Sequence, residues 1–292
     1  MKNRESSRLL LDMKWHDIDV FDEFGRYNYL SAQAILPTHI HPNMIEICYL
    51  SKGSQEYFVG KNTYKLYGGD IFITFPNEVH GTGDVPEEKG ILYWMVLKEP
   101  EYDKSYLGLK YNEASELFYR LLHLPKRLFK GDAECERLLL KIVHTYFQNK
   151  SLLTTMELNN VLISFLLQVI YDGEKREYRT YSDRISMIIR LIETHLFQTP
   201  NLEELADRCN LSLSRFKHLF KEETGIPPSE YIIRKKIEKA KEMLEEQKLS
   251  IKDIAYDLDF SSPAYFATVF KQYNGYSPTS FINKTSGPNI LE

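Results

Sequence analysis

The chain has 292 residues, more than one hydrophobic core usually organises, so two domains are expected. Its composition is globular, 43% apolar and 27% charged, and a net charge of −4 excludes a uniformly basic nucleic-acid binder while leaving the placement of charge open. Three cysteines, Cys48, Cys135 and Cys209, have no paired spacing, which argues against a disulfide framework or a cysteine zinc site and suits a reducing cytoplasm.

The opening MKNRESSRLLLDMK contains a run of only three leucines, too short for a signal peptide or a spanning helix, so no membrane partner is expected. From Tyr27 to Leu97 the hydrophobic period is two, which predicts strands at 29–36, 45–50, 55–59, 63–67, 71–75 and 91–97. Gly53, Gly60-Lys61-Asn62, Gly68-Gly69-Asp70 and Pro76-Asn77 read as the turns between them. Within this region HIHPNMIEICYLSKG sets out His39, His41, Glu46 and Gly53, and FPNEVHG adds His80. His39 and His41 alternate, so on an extended chain they point to one side. With Glu46 and His80 they make three imidazoles and a carboxylate, a set able to hold a divalent transition metal. They serve equally well as polar groups hydrogen-bonded to one another or to water.

These two stretches resemble the motifs of cupin barrels, in which histidine-x-histidine is followed by a glutamate and a glycine. Gln33 stands where a glycine should precede the first histidine, and Glu78 replaces the glycine of the second motif. The resemblance implies a cupin-like β-barrel over residues 1–110 with a ligand near His39, His41, Glu46 and His80. The neighbouring Tyr49, Tyr57 and Trp94 offer apolar faces with polar handles that suit a sugar, and suit strands equally well.

Residues 111–172 return to a helical period. Leu117, Leu121 and Leu122 mark one helix, Leu138, Leu139, Ile142, Val143, Tyr146 and Phe147 a second, and Leu158, Val161, Leu162, Phe165, Leu166 and Val169 a third. A helix as apolar as the third needs a cover, from its own domain or from a partner chain. His123 and His144 are read as structural. Residues 173–181, polar and charged, form the expected linker. Ser182 then caps a helix that buries Ile185, Ile188, Ile189 and Ile192.

The stretch from Asn201 to Phe281 holds one pattern twice, about fifty residues apart: Ala206 matches Ala255, Leu211 matches Phe260, Phe220 matches Phe270, Lys221 matches Lys271, Gly225 matches Gly275, Pro228 matches Pro278 and Tyr231 matches Phe281. Each copy reads as two short helices around a tight turn, a helix-turn-helix. Asn201 and Ser250 cap the first helices, Ser212 and Ser262 the second, and a helix after Pro228 joins the copies. Such short helices need a third against which to pack. From Asp183 onward fifteen basic residues face sixteen acidic ones, so any phosphate contact must come from local placement. Arg215, Lys217 and His218 fall on an outward face, and Arg234, Lys235 and Lys236 form a basic cluster.

This region resembles the DNA-binding domain of AraC/XylS-type bacterial transcription regulators, which often carry a cupin-like sensor in front. The resemblance implies two domains: the barrel with its following helices, and an all-α DNA-binding domain over 182–286 that sets both second helices in major grooves of double-stranded DNA. Ser212, Ser214, Arg215, Lys217 and His218 would contact DNA from the first copy, and Ser262, Ala264, Tyr265, Thr268 and Lys271 from the second. His218 and Thr268 stand where the family often has arginine, and Asp259 replaces a customary turn glycine. The resemblance further implies a cytoplasmic homodimer, pairing through 132–171 and chiefly the Leu158, Leu162, Phe165 and Val169 face, a small-molecule effector of sugar type, and contact with RNA polymerase. No enzyme activity and no required cofactor are expected. Two other readings remain open at the level of sequence, a DNA-binding protein with an effector-free dimerisation barrel and a metal-dependent cupin enzyme.

Overall fold

The structure is a computed structural model that describes residues 7–175 and 181–285, so 176–180 of the expected linker lie outside it. The chain divides into two units. One comprises Met1–Tyr29, Ile35–Asp84 and Gly90–Arg179; the other comprises Leu30–Ala34, Val85–Lys89 and Thr180–Glu292.

The first unit is built on eight strands: β1 (Arg8–Leu10), β2 (Phe21–Tyr29), β3 (Met44–Val59), β4 (Asn62–Tyr67), β5 (Asp70–Thr74), β6 (His80–Gly81), β7 (Gly90–Lys98) and β8 (Leu128–Lys130). Their main ladder runs β1-β2-β7-β3-β5-β8, antiparallel throughout. The expected closed barrel is therefore overturned: β1 and β8 end the ladder at opposite edges, and among the described residues nothing pairs them. β3 also departs from the expectation. The segments expected as two strands, 45–50 and 55–59, are one sixteen-residue strand with a register shift between Leu50 and Lys52 and Gly53 at φ 100°. A bulge and a left-handed glycine bend a strand without ending it. The first half of β3 pairs with β5 and β7, while the second half turns off to pair with β4 and β6. The strand expected at 29–36 is also absent, since β2 ends at Tyr29.

Alternation gives the sheet two apolar faces. Ile45, Ile47 and Tyr49 of β3 pack with Ile71, Ile73, Tyr93, Met95 and Leu97 against the helices α1 (Tyr111–Leu122), α2 (Ala133–Tyr146) and α3 (Leu152–Glu174). Cys48 and Leu50 point the other way, with Tyr27, Tyr57, Phe72, Leu92 and Trp94. Gly25 is required there, because a Cβ at that position would collide with the Trp94 ring. Asp132 caps α2 and Ser151 caps α3 through side-chain bonds to Glu134 N and Thr154 N. By length and composition α3 is apolar enough to cross a bilayer, yet Leu158, Leu162, Phe165 and Val169 are fully buried in the core of this unit. The face expected to pair two subunits thus covers the chain's own sheet. At its C-terminal end Asp172 is buried too, accepting from Asp132 N and Gln168 Nε2.

The second unit contains α4 (Asp183–Thr194), α5 (Leu202–Arg208), α6 (Leu213–Thr224), α7 (Pro228–Glu246), α8 (Ile251–Asp257), α9 (Pro263–Asn274) and α10 (Pro278–Thr285). Ile185, Ile188 and Ile192 of α4 are buried, as are Phe216 and Phe220 of α6. Ile237, Ala240 and Leu244 of α7 pack with Ile254, Phe266 and Phe270 in the second half. Each phenylalanine so buried contributes roughly 1.5–3 kcal/mol of transfer free energy. Short helices that are marginal alone are stable here because each buries such a stripe.

Candidate nucleic-acid interface and histidine cluster

The two repeats are built alike down to single hydrogen bonds. Leu211 N donates to Ala206 O in one, and Phe260 N to Ala255 O in the other. The turn residues between them, Asn210 and Asp259, are left-handed at φ 54° and 56°. Asparagine tolerates this region better than aspartate, and Asp259 has help: Lys236, a buried residue of α7, reaches its carboxylate at 3.3 Å.

Ser212 and Ser262 each cap the following helix, accepting from Arg215 N and Tyr265 N. Gly225 and Gly275 close α6 and α9 in the left-handed conformation, φ 82° and 79°, with their amides bonded to Lys221 O and Lys271 O at 2.8 Å. Pro228 and Pro278 then open the next helices, and Tyr231 and Phe281 fold back edge-on against Phe220 and Phe270.

Burying Phe216 and Phe220 turns Ser214, Arg215, Lys217 and His218 outward, all exposed, beside Ser212 at the helix start. Burying Phe266, Val269 and Phe270 does the same for Ala264, Tyr265, Thr268 and Lys271, with Ser262 half-buried. The side chains of Arg215, Lys217 and Lys271 have no hydrogen-bond or ion-pair partner among the described residues. His218 leans on Glu222 at 3.4 Å, and the Thr268 hydroxyl donates to Ala264 O at 3.0 Å, which spends its proton inside the helix.

The expected basic cluster on α7 does not form a free face. Arg234 is buried between Glu88 and Glu230 and lies over the Tyr273 ring. Lys235 pairs with Glu193 and Glu238, and Lys236 holds Asp259. Spacing along the helix could not reveal this, because Glu88 and Asp259 are distant in sequence.

In the first unit the structure brings His39, His41, Glu46 and His80 together, their ligand atoms all within 4.8 Å of one another. His39 and His41 precede β3, Glu46 lies on it, and His80 opens β6; an antiparallel bridge joins His39 to His80. His39 Nδ1 meets Pro37 O at 2.8 Å and His80 Nδ1 meets Glu78 O at 2.9 Å. A carbonyl only accepts, so in both rings Nδ1 carries the proton and Nε2 is left to face the cluster. Nε2 of His80 is 3.0 Å from Glu46 Oε2, an ion-pair distance, and Nε2 of His41 has no hydrogen-bond partner among the described residues.

Burial alone would raise the Glu46 pKa, but His80 and then the other two imidazoles outweigh it and hold the carboxyl below its usual range. Burial pulls His41 down, only partly offset by Glu46. His80 is also pulled down by burial, and the Glu46 carboxylate more than reverses this.

Glu78, the departure from the resembled motif, has a role that sequence reasoning missed. Its carboxylate accepts from Phe75 N and from both terminal nitrogens of Arg127 at 2.7 and 2.8 Å, which fixes the carbonyl that orients His80. Of the aromatic residues expected near the ligand, Trp94 and Tyr57 share the apolar face on Glu46's side of the sheet, Trp94 donating to Glu23 and Tyr57 stacking on Phe72. Tyr49 stands apart. It is three positions from Glu46 along the strand and belongs to the helix-facing core, where burial pushes its phenol far above the usual range.

Residues 20–166 match the model of the AraC-like ligand binding domain, and residues 205–284 match that of a helix-turn-helix domain. The HTH-type transcriptional regulator YfiF of Bacillus subtilis (strain 168) is 28% identical over 252 residues, 83% of this chain and 77% of that protein. The HTH-type transcriptional activator RhaS of Escherichia coli O157:H7 (strain EC4115 / EHEC) is 31% identical over 97 residues, 33% of this chain and 35% of RhaS, so the match spans about a third of that relative. Among solved structures, the C-terminal domain of AraT, a response regulator from Geobacillus stearothermophilus, is 26% identical and covers 38% of this chain and 93% of that domain, with a TM-score of 0.36.

Proposed function

The chain belongs to the AraC-like family of DNA-binding transcription regulators, which are not enzymes, and from that premise we propose that it reads DNA with both repeats under the control of a ligand at His39, His41, Glu46 and His80. The observation that carries the DNA role is the matched pair α6 and α9: each is capped by serine, closed on glycine and left with an outward face clear of its own core.

In this reading Arg215 bridges guanine O6 and N7 with two of its donors, while Ser212 presents the start of α6 to a phosphate. Ser214, Lys217 and His218 flank it. The second helix reads differently. Ala264, Tyr265 and the Thr268 methyl meet thymine methyls and groove shape, and Ser262 and Lys271 hold the backbone. The two helices of one chain would enter successive major grooves, about 34 Å apart.

We further propose a homodimer. Its pairing face is the outward stripe of α3, where Leu152, Met156, Leu167 and Tyr171 are exposed at helical spacing. Activation, the direction stated in the name of RhaS, fits a regulator that also touches RNA polymerase from the cytoplasmic side.

For the ligand, a carbohydrate-type effector would donate hydroxyl protons to Glu46 and to the free imidazole nitrogens, with Trp94 and Tyr57 on the same side of the sheet. A metal ion is the second reading, favoured by the convergence of those nitrogens.

Selection of bound duplexes from a random pool by the full-length protein tests the DNA role. An enriched sequence with two blocks roughly one helical turn apart is expected; equal affinity for the enriched duplex and its scrambled form rejects it.

A further inference from the structure

We infer that the DNA-reading unit is discontinuous in sequence: Leu30–Ala34 and Val85–Lys89 hold α9 in place, and discrimination at the bases α9 meets depends on the Ala32 amide and the Glu88 carboxylate. The assignment of α9 to DNA rests on the function proposed above; the hold on α9 does not.

The two segments continue the ladder of β2 and β7. Tyr29, the last residue of β2, faces Gly90, the first of β7. Beyond that pair Gln33 N donates to Glu87 O at 2.8 Å, and Glu87 N donates to Ala34 O at 3.0 Å. The segments are thus tied to each other, and both belong to the unit that contains α7 and α9.

What they meet there is the C-terminal end of α9. The last four carbonyls of a helix have no partner within it. Gly275 N serves Lys271 O, as Gly225 N serves Lys221 O in the first repeat. The second repeat goes further. Ala32 N donates to Gln272 O at 2.8 Å, and Gln272 Nε2 donates in return to Leu30 O at 3.0 Å. Glu222, at the matching position of the first repeat, is exposed and accepts no such bond among the described residues.

The next residue of α9 is held by its ring. Glu88 pairs with Arg234 of α7, whose guanidinium lies 4.9 Å from the centre of the Tyr273 ring, and Lys89 Nζ approaches the same ring at 5.6 Å. The Arg234 and Glu88 side chains are 8% and 14% exposed, so solvent screens this pair little. A binding element has to be held within about 0.5 Å of its productive place. On α9 that hold comes in part from residues far earlier in the chain, and α6 has no counterpart to it among the described residues.

The test uses full-length Glu88→Gln and Ala32→Pro, the second of which removes the amide that serves Gln272 O. Glu99→Gln, at an exposed acid elsewhere, controls for the lost charge. Hydrogen exchange without DNA reads the hold directly. Peptides across α9 should exchange at least about tenfold faster in Glu88→Gln and Ala32→Pro, with α6 unchanged. Titrations then use the duplex selected from the random pool and two derivatives, each scrambled in one block. The block that Arg215→Ala relaxes is the one α6 reads. Glu88→Gln and Ala32→Pro should lose discrimination at the other block and keep it at this one, while Glu99→Gln behaves as the parent. Removal of a negative charge by itself favours every duplex, so the loss expected of Glu88→Gln is opposite in sign to a charge effect. If circular dichroism shows Ala32→Pro unfolded, Glu88→Gln decides alone. Unchanged exchange across α9, faster exchange across α6 and α9 alike, or equal losses at both blocks overturns the inference. If the parent discriminates at neither block, the proposed function falls, and exchange still decides whether the two segments hold α9.

Discussion

Lys236 Nζ lies 3.3 Å from Asp259 Oδ2, tying a buried cation of the connecting helix to the left-handed turn residue of the second repeat. A left-handed L-residue costs about 1–2 kcal/mol, a cost that glycine avoids. The carboxylate is 61% exposed, so the ion pair is screened and returns only about 0.5–1 kcal/mol. Asp259→Ala, which loses the pair and keeps the strain, should lower stability by about 1 kcal/mol. Asp259→Gly should be neutral in the parent and stabilising once Lys236→Ala has removed the pair. Thermal denaturation of the four variants in a double-mutant cycle measures this, and a glycine variant as weak as the alanine one would show that the turn is not strained.

Arg234 presents the opposite balance. It is 7% exposed, and Glu88 and Glu230 both bond its guanidinium while Tyr273 lies beneath it at 4.9 Å. Removing one partner of a buried pair leaves a desolvated charge, so Arg234→Ala should cost about 3–5 kcal/mol, and pairing it with Glu88→Gln should recover part of that loss. Arg234→Lys should not rescue, because a point charge cannot serve two carboxylates and stack on a ring. Urea denaturation gives the comparison; a loss below 1 kcal/mol for the alanine variant would mean that water reaches Glu88 freely.

The two faces of α3 predict different failures. Phe165 is fully buried against the sheet, so Phe165→Ala should cost roughly 3–5 kcal/mol and leave the state of association alone. Met156 and Leu167 are exposed, so Met156→Asp with Leu167→Asp should leave stability within about 1 kcal/mol but shift the protein to monomer in sedimentation. A double variant that remains dimeric rules out this stripe as the pairing face.

Features set within a few residues were legible in the sequence. Ser212, Ser262, Gly225 and Gly275 each act through a hydrogen bond three or four residues away, so position along the chain fixes their partners. His39, His41, Glu46 and His80 were legible as a set, because two short motifs contain them all. What failed depended on distance in sequence. Gly53 reads as a turn, yet pairing of both halves of β3 with other strands makes it a bend within one strand, and that bend sends β4 and β6 off the main ladder. Tyr49 is the exception: its residue type suits a ligand, yet it lies only three positions from Glu46, and strand parity, a local signal, puts it on the other face. Arg234 and Lys236 were read as a basic surface, and only the arrival of Glu88 and Asp259 removes them from it.

The two recognition helices should divide the work of binding unequally. Arg215 is the long donor on the outer face of α6 nearest the helix start, and its guanidinium is not engaged elsewhere among the described residues. On α9 the corresponding surface is Ala264, Tyr265 and Thr268, and the threonine hydroxyl is already donated to Ala264 O. What remains there for a base is a methyl group and an aromatic face, which read thymine and groove shape with less discrimination than a bidentate pair. Arg215→Ala should therefore cost about 1–3 kcal/mol on the selected duplex and relax one base position. Lys271→Ala should weaken selected and scrambled duplexes alike and reduce the slope of log affinity against log salt by about one. Thr268→Ser removes only the methyl, so a loss of discrimination confined to one thymine is expected. Titrations of the three variants on both duplexes settle the division: equal losses on both for Arg215→Ala would make it a backbone anchor, and the base reading would then have to come from α9.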